Sequence, residues 1–467
     1  MLIKTNNRIQ MKKILALSLA AAALAFASCG GGEIEVDECT ETSFEESYQI
    51  VGSTGTSADS TKIITITDCA GAGIGDYSMT KDVVYVLDGL VFVNDGQTLE
   101  IEAGTIIKGK AGQGEDASAL IVARGGTIMA EGTSSDPIIF TAEEDAIRRD
   151  VAGDLQSEGT YAKDLGAQWG GIIILGNAGL NSSPGETQIE GISTSESRGL
   201  YGGDTDTDNS GTLKYVSIRH GGTDIGAGNE INGLTLGGVG SGTTLEYIEV
   251  IANEDDGIEF FGGTARLKYA LVANAGDDSY DYDEGWRGFG QFWVSLNSSD
   301  HAGEHDGGTD PETATPYATP TIYNVTYIGG TRVLFRDNAG GTYANSIFQG
   351  FESVPAISIE DIDGQDSRQR YEDGDLALFE NTFALVEEDS LAGFSTDSLI
   401  TIDATNGTSS SSVVSASSPV PSESISSDVD PSDESTWFTS TDYRGAFDET
   451  NWAAGWTMYY GNYGLAD

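Results

Sequence analysis

Hydrophobic and polar positions repeat along this chain with a period of twenty-two residues. The run 245–250 (LEYIEV) recurs at 267–272 (LKYALV), and 104–107 (GTII) recurs at 126–129 (GTIM), each 22 positions later (267 − 245 and 126 − 104). The apolar runs are short and separated by Gly, Asn and Asp, which is typical of strands and turns. No long segment carries apolar residues at helical spacing. The pattern therefore predicts an all-β solenoid in which each repeat is one coil stacked on the next.

The regular coils are predicted to occupy 83–394, after a tether and N-terminal cap at 29–82. Longer excursions leave the repeat and are expected to form loops at about 142–168, 181–212, 223–232, 302–318 and 361–375. Residues 395–435 are rich in Ser, Thr and Asp and are predicted to form a large mobile insertion. Residues 436–467 are rich in aromatic residues, and we expect them to form a C-terminal cap over the open end of the last coil.

Several stretches together resemble one protein family. They are 98–105 (TLEIEAGT), 118–126 (SALIVARGG), 169–177 (WGGIIILGN), 213–222 (LKYVSIRHGG) and the closing 443–456. As a set they are similar to surface and secreted right-handed parallel β-helix lipoproteins of Gram-negative bacteria, a pectin-lyase-like group mostly without assigned activity. Some members are called multidrug transporters, although this chain has no further apolar segment of membrane-span length. The resemblance implies a right-handed parallel β-helix from Val83 to the C-terminus and adds little about function.

The first 28 residues are predicted to be an export signal. Lys12 and Lys13 precede an apolar run at 14–27, which is shorter than the roughly 20 residues that cross a bilayer. The small residues before Cys29 resemble the lipobox of bacterial lipoproteins, so we expect lipidation of Cys29 and anchoring in the outer membrane at the cell surface. A secreted or periplasm-facing protein is the alternative. In that compartment Cys39 and Cys69 could form a disulfide, with two free thiols as the alternative.

The charge balance limits the possible partners. The chain has 74 acidic and 23 basic residues, a formal net charge of −51. Such a surface repels phosphates, which argues against nucleic acid and anionic lipid as partners. The partners we expect are the membrane through the lipid anchor, an extracellular glycan or an outer-membrane transporter, and divalent cations.

Acidic residues recur with the same period as the apolar ones. Adjacent coils lie about 4.8 Å apart, which stacks Asp255 over Asp277, Asp256 over Asp278 and Asp300, and Glu259 over Asp281. Bare carboxylates at that distance repel by roughly 1 kcal/mol in water and by more where solvent is poor. Calcium fits such ladders because it accepts six to eight oxygen ligands in flexible geometry. The alternative is that each Asp caps its own turn through local backbone N–H groups.

Two other motifs are candidates for metal binding. Asp204, Asp206 and Asp208 alternate in a Gly-bounded loop and could form a calcium loop, although the spacing does not match an EF-hand. The stretch 301–305 (HAGEH) has the letters of a zinc motif that requires a helix. Gly303 lies inside it, so we expect a surface loop there.

Catalysis is the alternative to a binding role. A polysaccharide lyase or glycoside hydrolase could use Asp255, Asp256, Asp277 and Asp278 as acids, with Arg287 as a base. Other motifs of β-helix hydrolases, such as Gly-His-Gly, are missing from the sequence. The sequence therefore favours a non-catalytic, calcium-stabilised surface scaffold.

Overall fold

The computed structural model describes residues 41–50, 60–68, 71–149, 155, 159–225, 230–308, 311–351, 356–362, 366–385, 407–409 and 411–461. The strands form two large sheets of 19 and 9 strands. Strands of successive coils pair in parallel, for example Leu245 opposite Leu267. The predicted all-β parallel solenoid is confirmed. The predicted lipidation site Cys29, the cysteines Cys39 and Cys69 and the signal at 1–28 lie outside the described residues.

Each coil contributes to three walls, and strands are numbered in chain order. Wall 1 contains β3 (Tyr77–Met79), β6 (Thr98–Ile101), β9 (Thr127–Glu131), β22 (Thr321–Tyr323), β25 (Gly341–Ala344) and β28 (Leu376–Phe379). Wall 2 contains β2 (Ser60–Thr67), β4 (Val83–Leu87), β7 (Ile106–Gly109), β10 (Ile138–Ala142), β23 (Thr326–Ile328), β26 (Ile347–Gln349), β29 (Thr382–Ala384) and β30 (Gly407–Ser409). Four long strands bend from wall 1 into wall 2, namely β14 (Gly211–Arg219), β16 (Thr244–Ile251), β18 (Arg266–Ala273) and β20 (Phe289–Leu296).

Wall 3 is the separate nine-stranded sheet. Its strands are β5 (Leu90–Val93), β8 (Ala119–Val122), β11 (Ile172–Leu175), β15 (Leu234–Gly237), β17 (Ile258–Phe261), β19 (Tyr280–Asp283), β21 (Gly303–Asp306), β24 (Val333–Arg336) and β27 (Ile357–Ile359). Outside the walls lie β1 (Ser43–Ile50), the small hairpin β12 (Thr187–Gln188) with β13 (Leu200–Tyr201), and the helix α1 (Ser367–Asp373). Short 3-10 turns occupy Gly114–Asp116, Ser197–Gly199 and Pro431–Asp433. Within the described parts of the chain, no helix is long and apolar enough to cross a membrane.

The walls begin earlier than the sequence repeat suggests. Strand β2 pairs in parallel with β4, with Lys62 opposite Val83, and β3 pairs with β6. Strand β1 runs antiparallel to β2 at this end. The predicted cap at 29–82 therefore includes wall strands from Ser60 onward, because the first coil lacks the Gly-Thr repeat that marks the later ones.

The interior of the solenoid is filled by side chains stacked from coil to coil. Leu213, Leu245 and Leu267 are almost fully buried in successive coils of wall 1. Further along, aromatic rings replace the aliphatic side chains, with Trp293 stacked on Tyr280 at 4.7 Å between ring centroids. Burial of such large apolar side chains contributes about 1.5–3 kcal/mol each and is the main stabilising term of the fold.

The corner between walls 1 and 2 is formed by residues in the left-handed region. Tyr215, Tyr247, Tyr269 and Phe292 have φ between 50° and 61°. This conformation costs an L-residue roughly 1–2 kcal/mol. The rings stack one on another at 4.3, 4.3 and 4.8 Å between centroids, and each stacked pair returns about 0.5–1.5 kcal/mol. The stacked rings therefore offset the strain that the bend imposes.

The outer face of wall 2 is apolar and is covered by the C-terminal part of the chain. In β16, β18 and β20 the last four residues are all buried, so both faces of the wall are covered. The cover is residues 411–461, which we call the C-terminal strap. Its Val414, Phe447 and Met458 are among the buried side chains that pack on this face.

Polar side chains of the wall bind the backbone of the strap. Gln349 Nε2 donates to the Val414 carbonyl (2.7 Å), Asn345 Nδ2 to the Val429 carbonyl (2.9 Å) and Asn324 Nδ2 to the Tyr443 carbonyl (2.8 Å). The strap thus lies along the side of the solenoid.

Two sequence predictions differ from this arrangement. Trp452 and Trp456 do not sit over the last coil, because they pack edge-on against Tyr247 in β16. The predicted mobile insertion 395–435 contains β30, which pairs with β29, and the docked residues from 411 onward. The physical reason is the apolar outer face of wall 2 from β16 onward, which this part of the chain covers.

Candidate metal-binding face

The outward side chains of wall 3 form an acidic face on three consecutive coils. Strand alternation sends Phe260, Tyr282 and His305 into the core. The intervening Glu259, Asp281 and Glu304 point outward and are aligned in register. A second outward row contains Asp283 and Asp306. The stacking of Glu259 over Asp281 was predicted from the repeat. Glu304 was not predicted to join this row, because the excursion at 302–318 interrupts the 22-residue period.

The turns that precede these strands carry the other acids. Asp256 Oδ1 accepts the backbone N–H of Asp278 at 2.9 Å, and Asp278 Oδ1 accepts the backbone N–H of His301. Asp256 and Asp278 are 7 % and 3 % exposed. Each carboxylate therefore caps the backbone of the following coil, whereas the alternative to calcium placed each cap within its own turn. Asp255, Asp277 and Asp300 are more exposed at the rim.

Three groups of side chains bring possible ligand atoms together. In each group one atom per residue lies within 4.8 Å of the others. The groups are Asp255, Asp256 and Asp277; Asp256, Glu259 and Asp281; and Asp278, Asp300 and His301. Oxygens bound to a single Ca²⁺ at 2.3–2.6 Å lie at most about 5 Å apart. The spacing of these atoms is therefore compatible with one cation per group.

Burial and mutual repulsion disfavour the charged forms of these acids. Burial, and then the neighbouring Glu190, Glu230 and Asp277, raise the pKa of Asp255 to about 7. Burial, followed by nearby carboxylates, also raises the pKa values of Glu259 and Asp281 well above the usual range. A cation between the carboxylates would remove this cost, because an opposite charge favours the ionised form.

One oxygen on this face is buried without a hydrogen-bond partner. Among the described residues, nothing donates to Asp281 Oδ1. Buried polar atoms are nearly always paired, so an orphan of this kind calls for a ligand. A divalent cation shared with Asp256 and Glu259 fits this oxygen.

The excursions and the later strand β24 add residues that the sequence repeat does not reveal. Asn232 Nδ2 donates to Glu259 Oε2 and lies 3.4 Å from Glu190 Oε1. At the other edge, Arg336 donates to Asp306 Oδ1 and, at 2.8 Å, to Glu304 Oε2. Glu190 and Arg336 come from parts of the chain far from the acid ladders, and only the fold brings them to this face.

Residues 303–305 of the zinc-like motif lie in strand β21 and His301 precedes it, so the surface loop expected for the whole motif is wrong. Strand β21 points Glu304 outward and His305 inward. His305 stacks on Tyr282 at 4.1 Å between centroids, and its Nε2 lies 2.8 Å from the Tyr343 hydroxyl. The two histidines therefore do not share one face, which the helical zinc motif requires.

The acidic loop at 204–208 does not gather its carboxylates. Asp206 Oδ1 accepts the Gly179 N–H at 3.1 Å, and Asp208 Oδ1 accepts from Asn177 at 3.1 Å. Asp204 Oδ1 contacts only the neighbouring Thr205 hydroxyl among the hydrogen bonds described. These oxygens fasten the loop to the wall, so the structure gives no support to a calcium loop here.

Arg287 does not lie with the acid pairs. Its Nη1 donates to the Gly285 carbonyl at 2.6 Å, and its Nη2 lies 3.5 Å from Asp206 Oδ1. The acids Asp277 and Asp278 precede β19, whereas Arg287 follows it, so the length of the strand, roughly 13 Å, separates them. The candidate catalytic set of Asp255, Asp256, Asp277, Asp278 and Arg287 is therefore not assembled at one point.

Comparison with known proteins gives a single match. Residues 73–457 match the family model described as a pectate-lyase-like beta helix domain. No curated protein and no solved structure matches the chain.

Proposed function

Because the chain belongs to the family of pectate-lyase-like β-helix domains, we propose that it is a non-catalytic surface scaffold whose acidic face binds calcium. The observation that carries this proposal is the buried, unpartnered Asp281 Oδ1 between Glu259 and Glu304. Calcium would be held by Asp256, Glu259 and Asp281 in one place, and by Asp255, Asp256 and Asp277 in another. Each ion would link two adjacent coils and neutralise carboxylates that otherwise repel.

The anchoring and the partner are proposed from the sequence. Cys29, at the end of the export signal, would carry lipid and hold the scaffold to the outer membrane at the cell surface. From there the β-helix would present its faces to an extracellular glycan or to an outer-membrane transporter. Replacement Cys29→Ala should move the protein from the membrane fraction to the soluble fraction. Unchanged membrane association would contradict the anchor.

Calcium binding is tested by thermal unfolding. A ligand that binds only the folded state raises its stability by RT ln(1 + [L]/Kd), which is about 2.7 kcal/mol at a hundredfold excess over Kd. Calcium should therefore raise the melting temperature and a chelator should lower it. The double variant Glu259→Gln with Asp281→Asn should lose much of this response. The control Asp204→Asn, which removes a charge outside the face, should keep it. Equal melting curves with calcium and chelator would refute the proposal.

A polysaccharide lyase or glycoside hydrolase is the second candidate. The observation in its favour is the Asp255 carboxyl, whose pKa burial raises to about 7, as suits a general acid near neutral pH. Incubation with uronate polymers should then produce unsaturated, ultraviolet-absorbing ends, and other glycans should release reducing ends. A scaffold would retard the glycan without changing it.

A further inference from the structure

The acidic face ends in a cluster that contains an imidazole. His301 Nδ1 lies 3.0 Å from Asp278 Oδ1, 3.6 Å from Asp300 Oδ1 and 3.6 Å from Glu304 Oε1. The His301 side chain is 14 % exposed, so solvent still reaches the cluster. The three carboxylates come from two successive turns and from β21, and only the stacking of the coils brings them to one point.

The distances around His301 do not describe an ordinary hydrogen bond network. A ring nitrogen has at most one hydrogen, and only Asp278 is close enough to accept it. The other two oxygens approach the same nitrogen without bonding to it. Ligands bound to one transition-metal ion at 2.0–2.2 Å lie about 3.0–3.6 Å from one another. The distances from His301 Nδ1 to its three carboxylate neighbours, 3.0, 3.6 and 3.6 Å, fall in this range.

Residues outside the cluster hold two of the carboxylates in place. Arg336 Nη2 binds Glu304 Oε2 at 2.8 Å, which leaves Glu304 Oε1 directed towards His301. Thr331 Oγ1 donates to Asp300 Oδ1 at 2.9 Å. Outer contacts of this kind orient the ligands of metal sites. Asp278, Asp300 and His301 also form one of the three groups in which one possible ligand atom per residue lies within 4.8 Å of the others.

We infer that His301, Asp278, Asp300 and Glu304 bind a divalent transition metal, such as Zn²⁺ or Mn²⁺, at a site separate from the calcium positions. Calcium takes oxygen ligands, whereas imidazole suits Zn²⁺ and the other transition metals. The inference extends the proposed cation-binding role of the face, but it rests on different residues. The metal would join the turns before β19 and β21 to the strand itself.

The test uses Cu²⁺ as the probe and the whole chain without a histidine tag. The chain has 3 histidines, and His220 and His305 are both 0 % exposed, so an imidazole signal identifies His301. Electron paramagnetic resonance of one equivalent of Cu²⁺ should show nitrogen hyperfine splitting in the wild type. That splitting should be lost in His301→Gln, with binding weaker by about 10-fold or more. Asp300→Asn should weaken binding and keep the nitrogen signal.

Two controls separate this inference from the calcium proposal. Asp204→Asn should bind Cu²⁺ like the wild type, since that residue lies outside the face. His301→Gln should keep its calcium-dependent rise in melting temperature, which also shows that the variant is folded. Wild-type spectra without a nitrogen ligand, or spectra unchanged by His301→Gln, would overturn the inference. Loss of the calcium response with the nitrogen signal intact would instead refute the calcium proposal alone.

Discussion

Glu249 should be the residue on which the end of the C-terminal strap most depends. It lies on the outer face of wall 2 in β16 and is 0 % exposed. Its carboxylate accepts the backbone N–H of Met458 at 2.7 Å and that of Tyr459 at 2.9 Å, and the Ser217 hydroxyl also donates to it. In Glu249→Ala the two strap amides would be left buried without acceptors.

The expected magnitude follows from those two bonds. Hydrogen bonds to a charged group contribute about 1.5–3 kcal/mol each. Water that enters and bonds to the two amides would recover part of the loss, so Glu249→Ala should weaken the docking of residues 457–461 by about 3–5 kcal/mol. Glu249→Gln keeps one acceptor oxygen but turns an amide donor towards the second N–H, so we expect about half the loss. Glu246→Gln in the same strand is the matched control. Glu246 forms a half-exposed ion pair with Lys214 at 2.9 Å, worth less than about 1 kcal/mol.

Hydrogen exchange followed by mass spectrometry measures this loss directly. Peptides from 452–461 should exchange on the order of 100-fold faster or more in Glu249→Ala, given that about 1.4 kcal/mol corresponds to a factor of ten. Peptides from β7 and β10, far from the strap, should be unchanged. Protection of 452–461 at the wild-type level in Glu249→Ala would show that the two hydrogen bonds do not hold the strap.

Three further outcomes are expected. Tyr247→Ala should lower the free energy of unfolding in urea by about 3–5 kcal/mol. Tyr247→Gly should be as stable as Tyr247→Ala or up to about 1 kcal/mol more stable, because φ is 55° at this position. A less stable glycine variant, which is the usual order, would contradict the strained corner. In the presence of chelator, the melting temperature should rise as pH falls from about 8 to about 6.5. The pKa values of Asp255 and Glu304 in the folded state are raised to about 7, so the free-energy cost of burying their charges is present above that pH and relieved below it. Saturating calcium should flatten this pH dependence. His305 should act in the opposite direction, because burial lowers its pKa to about 3 and below about 6.5 only the unfolded chain gains that proton, which cancels part of the stability gained by the carboxyls. His305→Phe should therefore make the rise in melting temperature towards acid pH steeper, and an unchanged slope in that variant would refute the assignment.

The sequence alone determined the coil and its stacking. A strand has a fixed rise and alternates its side chains, so a repeat of constant length must place equivalent residues one above another. This is why Glu259 over Asp281 and Leu245 over Leu267 could be predicted from spacing.

Only the tertiary structure decided what each wall faces. From β16 onward, wall 2 is covered by the C-terminal strap, which is distant in sequence. Single side chains that carry no local motif hold it, and the contacts of Gln349 and Glu249 with the strap span 65 and 209 residues. Likewise Arg336 joins the acidic face and Arg287 does not, because an insertion shifts the period but leaves the pairing of strands intact. For the same reason, His301 lies beside Asp278 and His305 lies in the core. Strand register fixes which residues are neighbours across coils, and the spacing of residues along the sequence no longer predicts those neighbours once a loop interrupts the repeat.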